Sequence, residues 1–427
     1  AAFYIEKSSG KKKKLFLLAS IVSTGSVLFV FKYFNFFNSN ALAVAQYFGW
    51  QYPIGNLSLI LPIGLSFHTF QSLSYVIEVY RGHQKVERNL GIYSLYVMFY
   101  PQLVAGPIER PQNLLHQFYE KHRFDYDRCT SAMRLILWGF FKKVVVADNL
   151  AELVNRVYNA PNDFVDKPEY YFLATLFFAF QIYYDFSGYS DIARGAARMM
   201  GFNLMLNFNS PYFSKSIMDF WRRWHISLST WLRDYVYIPL GGSRVANQRI
   251  YFNLLITFLL SGIWHGANWT FVIWGLLHGV YVVCGVALRG LSQRIGNKLR
   301  LERVRLLLDP LKILFTFVLV CLAWVFFRAN QLSDAIQILG GMFSASFDAV
   351  RRAQLISGMG TAVGENILAF YVLGFMFLAH FARAWFASAS PNLSIPVAVR
   401  WAGYYVFVLG IFFLGAFTHK EFIYFQF

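Results

Sequence analysis

The feature that constrains this chain most is a nearly unbroken apolar run over residues 250–288, interrupted at its centre by Ser261, Gly262, His265, Gly266 and Asn268. Roughly 20 helical residues cross the hydrocarbon core of a bilayer, so the run is too long for one span and is read as two. With a break at Gly266, the first arm covers about 22 Å from Ile250, less than the core thickness of about 30 Å. His265 then lies below the membrane surface. Because a polar side chain at that depth must face protein or water, His265 is the first candidate for chemistry.

Composition places the whole chain in a membrane. Of its 427 residues, 57% are hydrophobic and only 14% are charged, which excludes a globular enzyme held by a single membrane anchor. The net charge of +17 does not indicate nucleic-acid binding, because the basic residues lie in short loops between apolar runs. Three widely spaced cysteines give no disulfide framework and no cysteine metal site. The chain begins with Ala and shows no signal peptide, so we expect either processing or a missing start.

The apolar runs predict an all-α polytopic membrane protein in a single domain, residues 1–427. We expect about nine or ten membrane helices together with interfacial and re-entrant ones. One predicted span covers residues 57–80, with kinks at Pro62 and Gly64. A boundary helix over residues 134–146 carries Lys142 and Lys143, which should snorkel to the interface. The other predicted spans are residues 15–31, 170–186, 311–327, 367–385 and 397–417.

Basic loops set the orientation. The cluster after the central run should be cytoplasmic, and Arg249 places the start of the first arm on the same side. His265 is then near the outside, at the floor of an outward-facing pit, and an acceptor would approach from outside. The cytoplasmic cluster comprises Arg289, Arg294, Lys298, Arg300, Arg303 and Arg305.

A second histidine lies in an unusual aromatic segment. Ser216 to Asp219 has the form of a capping box, and it predicts one helix that begins there. One face of that helix would carry Trp221, Trp224, His225, Leu228, Trp231 and Leu232, with Arg222, Arg223, Arg233 and Asp234 on the others. The helix should be buried or interfacial. For His225, packing and catalysis both stay open.

His265 can act as a general base, because a neutral imidazole takes the proton from an attacking hydroxyl. The alternative is that it braces the helix break. Gly262 and Gly266 allow close approach of backbone or substrate. A metal site is the rival use, with His225, His265, His278, Asp185 and Asp191 as ligands, but no close ligand spacing such as HExxH exists, so no metal is expected.

Asp185 and Asp191 end a predicted span six residues apart, and Ser187 and Gly188 between them suggest a helix break. One aspartate could orient a histidine or bind substrate, or both could simply terminate the helix in water. The chain contains no serine nucleophile elbow, Walker motif or redox motif, which argues against a serine-nucleophile esterase, an ATP-driven pump and a redox enzyme.

Over nearly its whole length the chain resembles the membrane-bound O-acyltransferase family, within it the bacterial polysaccharide O-acetyltransferases. The motifs that carry the resemblance are FYPQLVAGPI at residues 99–108, FKK at 141–143, YDFSGYSD at 184–191, FWRRWHISLSTWLRDYVYIPLGG at 220–242, WHGANW at 264–269 and FIYFQF at 422–427. The resemblance implies that His265 is the general base and that His225 assists it. It implies that Asp185 and Asp191 support the site. Further substrate-binding or supporting positions are Tyr189, Trp264, Asn268, Arg222 and Arg223.

The resemblance also implies a function. Acetyl groups from a cytoplasmic donor, acetyl-CoA, would cross the bacterial inner membrane to hydroxyls of an extracytoplasmic polysaccharide, such as alginate or a related exopolysaccharide. No bound cofactor is expected. Expected partners are membrane lipids, the polysaccharide, and an extracytoplasmic acetyltransferase or other acetylation-complex proteins. Similar sequences begin with one or two further helices. The alternatives are D-alanyl transfer to teichoic acid, a proton-coupled transporter, which should show inverted repeats that we do not find, and a non-catalytic scaffold.

Overall fold

The computed structural model describes residues 1–298, 305–389, 396–417 and 422, and the regular structure in these ranges is entirely helical. The first ten helices are α1 Ala2–Lys7, α2 Gly10–Leu28, α3 Phe34–Tyr47, α4 Leu65–Arg81, α5 Leu90–Val97, α6 Pro111–Leu114, α7 Tyr126–Phe140, α8 Asp148–Asn159, α9 Pro168–Met199 and α10 Ile217–Arg223. The others are α11 Ile226–Leu232, α12 Asn247–His265, α13 Trp269–Ala287, α14 Arg289–Lys298, α15 Arg305–Arg328, α16 Leu332–Phe347, α17 Ala349–Glu365, α18 Ile367–Ala389 and α19 Val397–Leu414.

The prediction of an all-helical membrane protein is confirmed, but its number of spans is not. Within the described ranges, four helical segments are long and apolar enough to cross a membrane, or five if one bent pair counts as a span. The bent pair joins α17 to α18 at an angle of 80°. The four single segments are Gly10–Tyr47, Trp269–Ala287, Leu307–Arg328 and Val397–Leu414.

The centre of the bundle is α9, a continuous helix of 32 residues. Most of its side chains are buried, as expected for a helix surrounded by protein. It packs against α7, α8, α15, α16 and α17. The predicted break at Ser187 and Gly188 is therefore wrong. Gly188 instead lets α7 cross closely, since a Cβ there would lie 2.8 Å from the Gly139 carbonyl oxygen.

The predicted span over residues 57–80 is also wrong. Residues 51–62 are not helical, and α4 begins only at Leu65. Gly64 has a left-handed backbone, with φ of 74° and ψ of 4°, and it forms the N-cap of α4. Proline at position 62 lacks the N–H that a continuing helix needs, so Pro62 and Gly64 separate the segments rather than kink one helix.

Candidate active site

His265 is the last residue of α12, as the position of the predicted break requires. Gly266 is extended, and α13 follows after Asn268, whose side chain accepts a hydrogen bond from the backbone N–H of Thr270 at 3.1 Å. Because α12 begins at Asn247 rather than at residue 250, the arm spans about 28 Å, longer than the sequence suggested. His265 is nevertheless only 5% exposed. A short arm is thus not what buries it.

Gly262 serves helix packing. A Cβ at Gly262 would lie 3.1 Å from the Cα of Gly275, so the backbones of α12 and α13 touch at this level. Of the two uses predicted for this glycine, approach of backbone or of substrate, the structure shows the first. The tight contact holds the end of α12, and with it His265, against the start of α13.

Aromatic rings surround the imidazole of His265. The ring centroids of Trp264, Trp274 and Phe327 lie 4.9, 5.0 and 5.1 Å from its own. The His225 ring follows at 6.4 Å. The two histidines are therefore brought together from positions forty residues apart, with Trp264 next to both, 6.1 Å from His225.

His225 does not lie within a helix. The predicted single helix is wrong, because α10 ends at Arg223 and α11 begins at Ile226, with His225 between them at φ 41° and ψ 56°. This left-handed conformation costs a non-glycine residue roughly 1–2 kcal/mol and must be stabilised by its surroundings. The predicted buried face is correct, and the side chains of Trp221, Trp224, His225, Leu228, Trp231 and Leu232 are all buried. The N-cap at Ser216 is also correct, since its hydroxyl accepts from Asp219 N–H at 3.2 Å.

Asn207, which the sequence analysis missed, stabilises the turn at His225. Its backbone carbonyl accepts from Ile226 N–H at 2.9 Å. Its side-chain oxygen accepts from the backbone N–H of Ser227 at 3.2 Å and from the Ser227 hydroxyl at 2.9 Å. These bonds supply acceptors for the first groups of α11, which the break would leave without partners. No sequence signal linked Asn207 to a helix start twenty residues later.

Asp185 and Asp191 form ion pairs with α7 and its continuation. Residues Phe141–Ala147 form a π-helical segment that carries Lys142 and Lys143 inward. Lys142 Nζ lies 2.6 Å from Asp191 and Lys143 Nζ lies 2.8 Å from Asp185. The predicted snorkelling of these lysines is therefore wrong, since both turn inward to carboxylates that partly neutralise them. Helix α9, which carries both aspartates, also contacts the site directly, because its Phe186 ring lies 4.7 Å from that of His225.

Of the remaining candidates, Trp264, Asn268 and Tyr189 lie near the histidines or on α9, whereas the two arginines lie on α10. Trp264 touches both histidines, and Asn268 caps α13 beside them while donating to the Asn330 carbonyl at 2.8 Å. Tyr189 lies one turn from Asp185 and bonds the backbone of the 99–108 motif.

The two arginines lie on α10, with partners on the same helix. Arg223 pairs with Asp219 at 2.9 Å, and exposed Arg222 contacts the sulfur of Met218 at 3.8 Å. In the described part of the chain, neither arginine contacts a histidine.

The histidines do not assemble a metal site in the described ranges, where no group of three or more possible ligands occurs. His278, the third candidate ligand, accepts from Trp221 Nε1 through its Nδ1 at 3.2 Å. Arg300, Arg303 and the motif residues 423–427 lie outside the described residues.

Two cavities approach the histidine pair. The first, which we name the break cavity, has a volume of about 550 Å³ and is lined by Gly266 and Asn268 at the α12–α13 break, together with Lys32 and Arg328. The second, the α9 cavity, has about 610 Å³ and is lined by Ser187, Ser190 and Asp191 of α9 and by Asn207, which bonds the residues after His225.

The cavities lie at different levels along α9. Asn155 and Asn159 of α8 line the break cavity, and Tyr158 between them bonds Thr175 of α9 at 2.9 Å. The residues of α9 that line the α9 cavity lie between Phe180 and Arg194, five to nineteen residues later, or about 8 to 28 Å along the helix.

Known proteins of similar sequence identify the chain. The model of the membrane-bound O-acyltransferase family matches residues 89–327. The probable alginate O-acetylase AlgI of Pseudomonas aeruginosa is 42% identical over 368 residues, which cover 86% of this chain and 67% of that protein. The AlgI protein of Pseudomonas putida is 39% identical, over 98% of this chain and 85% of its own length. The peptidoglycan O-acetyltransferase of Helicobacter pylori is 37% identical, over 77% and 65%. The chain therefore belongs to the membrane-bound O-acyltransferase family and is an O-acyltransferase.

Proposed function

We propose that the chain transfers acetyl groups from acetyl-CoA in the cytoplasm to hydroxyls of an extracytoplasmic polysaccharide, such as alginate or a related exopolysaccharide. The observation that carries this proposal is the buried His225–His265 pair, with ring centroids 6.4 Å apart, next to Gly266 of the break cavity and joined through Asn207 to the α9 cavity. The names of the relatives support acetyl as the group transferred, since they describe alginate and peptidoglycan O-acetylation.

In this proposal His265 is the general base. The acceptor hydroxyl attacks the thioester carbonyl, the new C–O bond forms, and the C–S bond breaks. His265 takes the hydroxyl proton and gives it to the departing CoA thiolate, so that CoA leaves as the thiol and the imidazole is neutral again. His225 assists by orienting the acyl group, with Trp264 as the wall that touches both rings. Asp185 and Asp191 support the site through Lys143 and Lys142.

The proposed direction rests on charge. Arg249, Arg289, Arg294 and Lys298 lie at the ends of α12 and α13 remote from the break, or just beyond them. By the positive-inside rule these ends face the cytoplasm. The break cavity then opens outward and receives the acceptor, while the α9 cavity faces inward and receives acetyl-CoA. Arg222 and Arg223, on the exposed side of α10, contribute to substrate binding rather than to proton transfer.

The proposal includes a bacterial inner-membrane location and a single domain over residues 1–427. Helices other than the four single segments, such as α4 and the more polar α9, would raise the number of membrane helices to nine or ten. Membrane lipids surround the bundle. An extracytoplasmic acetyltransferase or another protein of an acetylation complex receives or completes the transfer at the outer opening.

The test replaces His265 by Gln and His278 by Asn in the full chain. His278→Asn is the matched control, because it alters a buried histidine of the same aromatic cluster while an amide oxygen can still accept from Trp221. At equal membrane levels, ester-linked acetyl and D-alanyl groups on surface polymers are measured by mass. Loss of acetyl groups in His265→Gln alone supports the proposal.

Two other results would replace it. Loss of D-alanyl groups would move the chain to teichoic acid acylation. Unchanged ester levels in His265→Gln would rule out the catalytic role of His265 and favour a transporter or a scaffold. Proton-dependent uptake into vesicles without consumption of an acyl donor would then support the transporter over the scaffold.

A further inference from the structure

The break cavity carries positive charge without a matching anion. Its polar lining consists of Lys32, Arg328 and the four asparagines Asn155, Asn159, Asn268 and Asn330, and no acidic side chain of the described chain lines it. Asp334, the acidic residue nearest in sequence to Asn330, instead accepts from Gln331 at 3.1 Å. The α9 cavity differs in having an acidic side chain in its lining, since Asp191 pairs there with both Lys142 and Arg194.

Arg328 is the more deeply buried of the two cations, at 5% exposed. Its Nη2 donates to Asn155 Oδ1 at 2.8 Å and to Asn159 Oδ1 at 3.1 Å, and its Nη1 donates to Asn330 Oδ1 at 3.4 Å. Its Nε is buried and has no hydrogen-bond partner among the described residues. The Tyr158 ring lies 5.5 Å from the guanidinium carbon. All of these partners are neutral.

Lys32 is likewise paired only with neutral groups in the described ranges. Its Nζ donates to the carbonyl oxygens of Trp264 and His265, both at 2.9 Å. Helix dipoles change the balance little: α8, α12 and α15 end at this cavity while α13 and α16 begin at it. At about half a charge for each end, these contributions leave about half a negative charge, so the two cations still decide the sign.

A buried arginine and a half-buried lysine in a membrane protein are costly unless an anion meets them. The amide oxygens of Asn155 and Asn159 already accept from Arg328, which leaves their amide N–H groups, with the guanidinium, as donors for a further ligand. Carboxylates fit such a set, since their two oxygens accept from arginine and amide N–H groups together. Arg328 also lies next to Phe327, whose ring is 5.1 Å from that of His265.

We propose that the break cavity binds a carboxylate of the acceptor through Arg328 and its asparagines, so that this enzyme selects an acidic polysaccharide. The inference rests on the proposed function, because it assigns this cavity to the acceptor. It adds a specificity site: the carboxylate of one sugar is held at Arg328 while a hydroxyl of the same or the next sugar reaches His265.

Asn155→Asp is the most informative variant. It changes an oxygen acceptor of Arg328 into a carboxylate of nearly the same shape, which gives the guanidinium an internal counter-ion and preserves the bond at 2.8 Å. The fold is retained, but the positive charge offered to a ligand falls by one. Arg328→Gln removes the charge outright. Arg156→Gln is the matched control, since Arg156 lies on the same helix, is half exposed and pairs with Glu365 at 3.4 Å.

The experiment measures binding to the full chain, purified in a neutral detergent, by tryptophan fluorescence. The probes are a tetrasaccharide of uronic acids and the same tetrasaccharide with its carboxyl groups reduced to alcohols. We expect the wild type and Arg156→Gln to bind the acidic probe at least tenfold more tightly than the reduced one. Asn155→Asp and Arg328→Gln should lose this preference, with unchanged unfolding temperature in Asn155→Asp.

Equal binding of the two probes by the wild type would overturn the inference, as would an unchanged preference in Asn155→Asp. Displacement of the acidic probe by an equal concentration of short-chain phosphatidylglycerol would also overturn it and make the cavity a lipid-headgroup site. Binding requires no acyl donor, so a wild type that binds the acidic probe but transfers no acetyl group would refute the proposed function and leave the carboxylate site standing.

Discussion

Lys32 should be required for acetyl transfer although it lies far from the histidines in sequence. Its Nζ bonds the carbonyls of Trp264 and His265, and the adjacent Tyr33 hydroxyl bonds the Ile263 carbonyl at 3.0 Å. The last turn of α12 thus has its free acceptors satisfied from another segment, as helix ends require. Both residues lie in a π-helical turn, Phe29–Tyr33, which directs two consecutive side chains to the same helix end.

The magnitude follows from the bonds lost. Lys32→Met removes two charge-assisted hydrogen bonds and leaves two poorly hydrated carbonyls without a donor, at roughly 1.5–3 kcal/mol for each bond. A loss of about 3 kcal/mol at the end of α12 would lower the population of the correct His265 position, and hence kcat, about a hundredfold. Tyr33→Phe removes one neutral bond, about 1 kcal/mol, and should lower kcat roughly fivefold.

The assay is acetyl transfer by equal amounts of membrane protein, with kcat and KM for the acceptor determined separately. Lys32→Arg, which keeps the charge and the donors, should restore most of the activity, and exposed Lys14→Met is the control for loss of a lysine. Tyr33 does not line the break cavity, so its variant should change kcat and leave KM for the acceptor unchanged. Full activity of Lys32→Met would refute the reasoning.

Three other substitutions test the fold and the site. Gly188→Ala places a Cβ 2.8 Å from the Gly139 carbonyl oxygen and should lower stability by about 1–3 kcal/mol, measured by thermal unfolding in detergent. Asn207→Ala removes the acceptor of both Ser227 bonds and should lower acetyl transfer about tenfold, whereas Asn207→Asp keeps the acceptor and most activity. Burial raises the pKa of Glu109 to about 7 from 4.5, so its stabilising contribution is complete below pH 4.5 and is lost as pH rises through 7. Glu109→Gln should flatten this dependence, worth at most about 3 kcal/mol between pH 4.5 and 8.

Each of these three predictions has a control or a result that would contradict it. Gly25→Ala adds a methyl group in open space and should leave the unfolding temperature unchanged. Equal loss of activity in Asn207→Ala and Asn207→Asp would show that the accepted bonds do not matter. Between pH 5 and 8, the unfolding temperature of the wild type should fall more than that of Glu109→Gln. An equal change in both proteins would contradict the role of Glu109.

The class of fold was readable from sequence because it depends on composition and on the length of apolar runs. The break at residue 266 was also readable, since polar and small residues interrupt an apolar run there. Failures occurred where tertiary contacts override local signals. Gly188 looks like a helix breaker, but α9 continues through it because α7 crosses there at backbone distance. The intrinsic cost of one glycine, about 1 kcal/mol, is small beside such packing.

The histidine pair was predictable in identity but not in geometry. Spacing along one helix face placed His225 among tryptophans, and its burial is correct, but the left-handed turn depends on Asn207 from a distant loop. Lys143 also pairs with nearby Asp148 at 2.9 Å, but both lysines looked like snorkelling residues because their partners on α9, Asp191 and Asp185, lie more than forty residues away. Pairings of this range carry no local pattern.

The distribution of helix ends suggests how the site combines burial with access. His265 ends α12 and His225 separates α10 from α11, so both imidazoles lie where regular hydrogen bonding stops. In an apolar interior each such end needs donors or acceptors from elsewhere, and Lys32 and Asn207 supply them. Substitution of a polar residue near the histidines can therefore lower activity by releasing a helix end, even when that residue does not touch a substrate. Acetyl transfer retained in Lys32→Arg or Asn207→Asp would mark Lys32 and Asn207 as positioning residues. At His265, by contrast, only a residue with a proton acceptor of near-neutral pKa should support acetyl transfer.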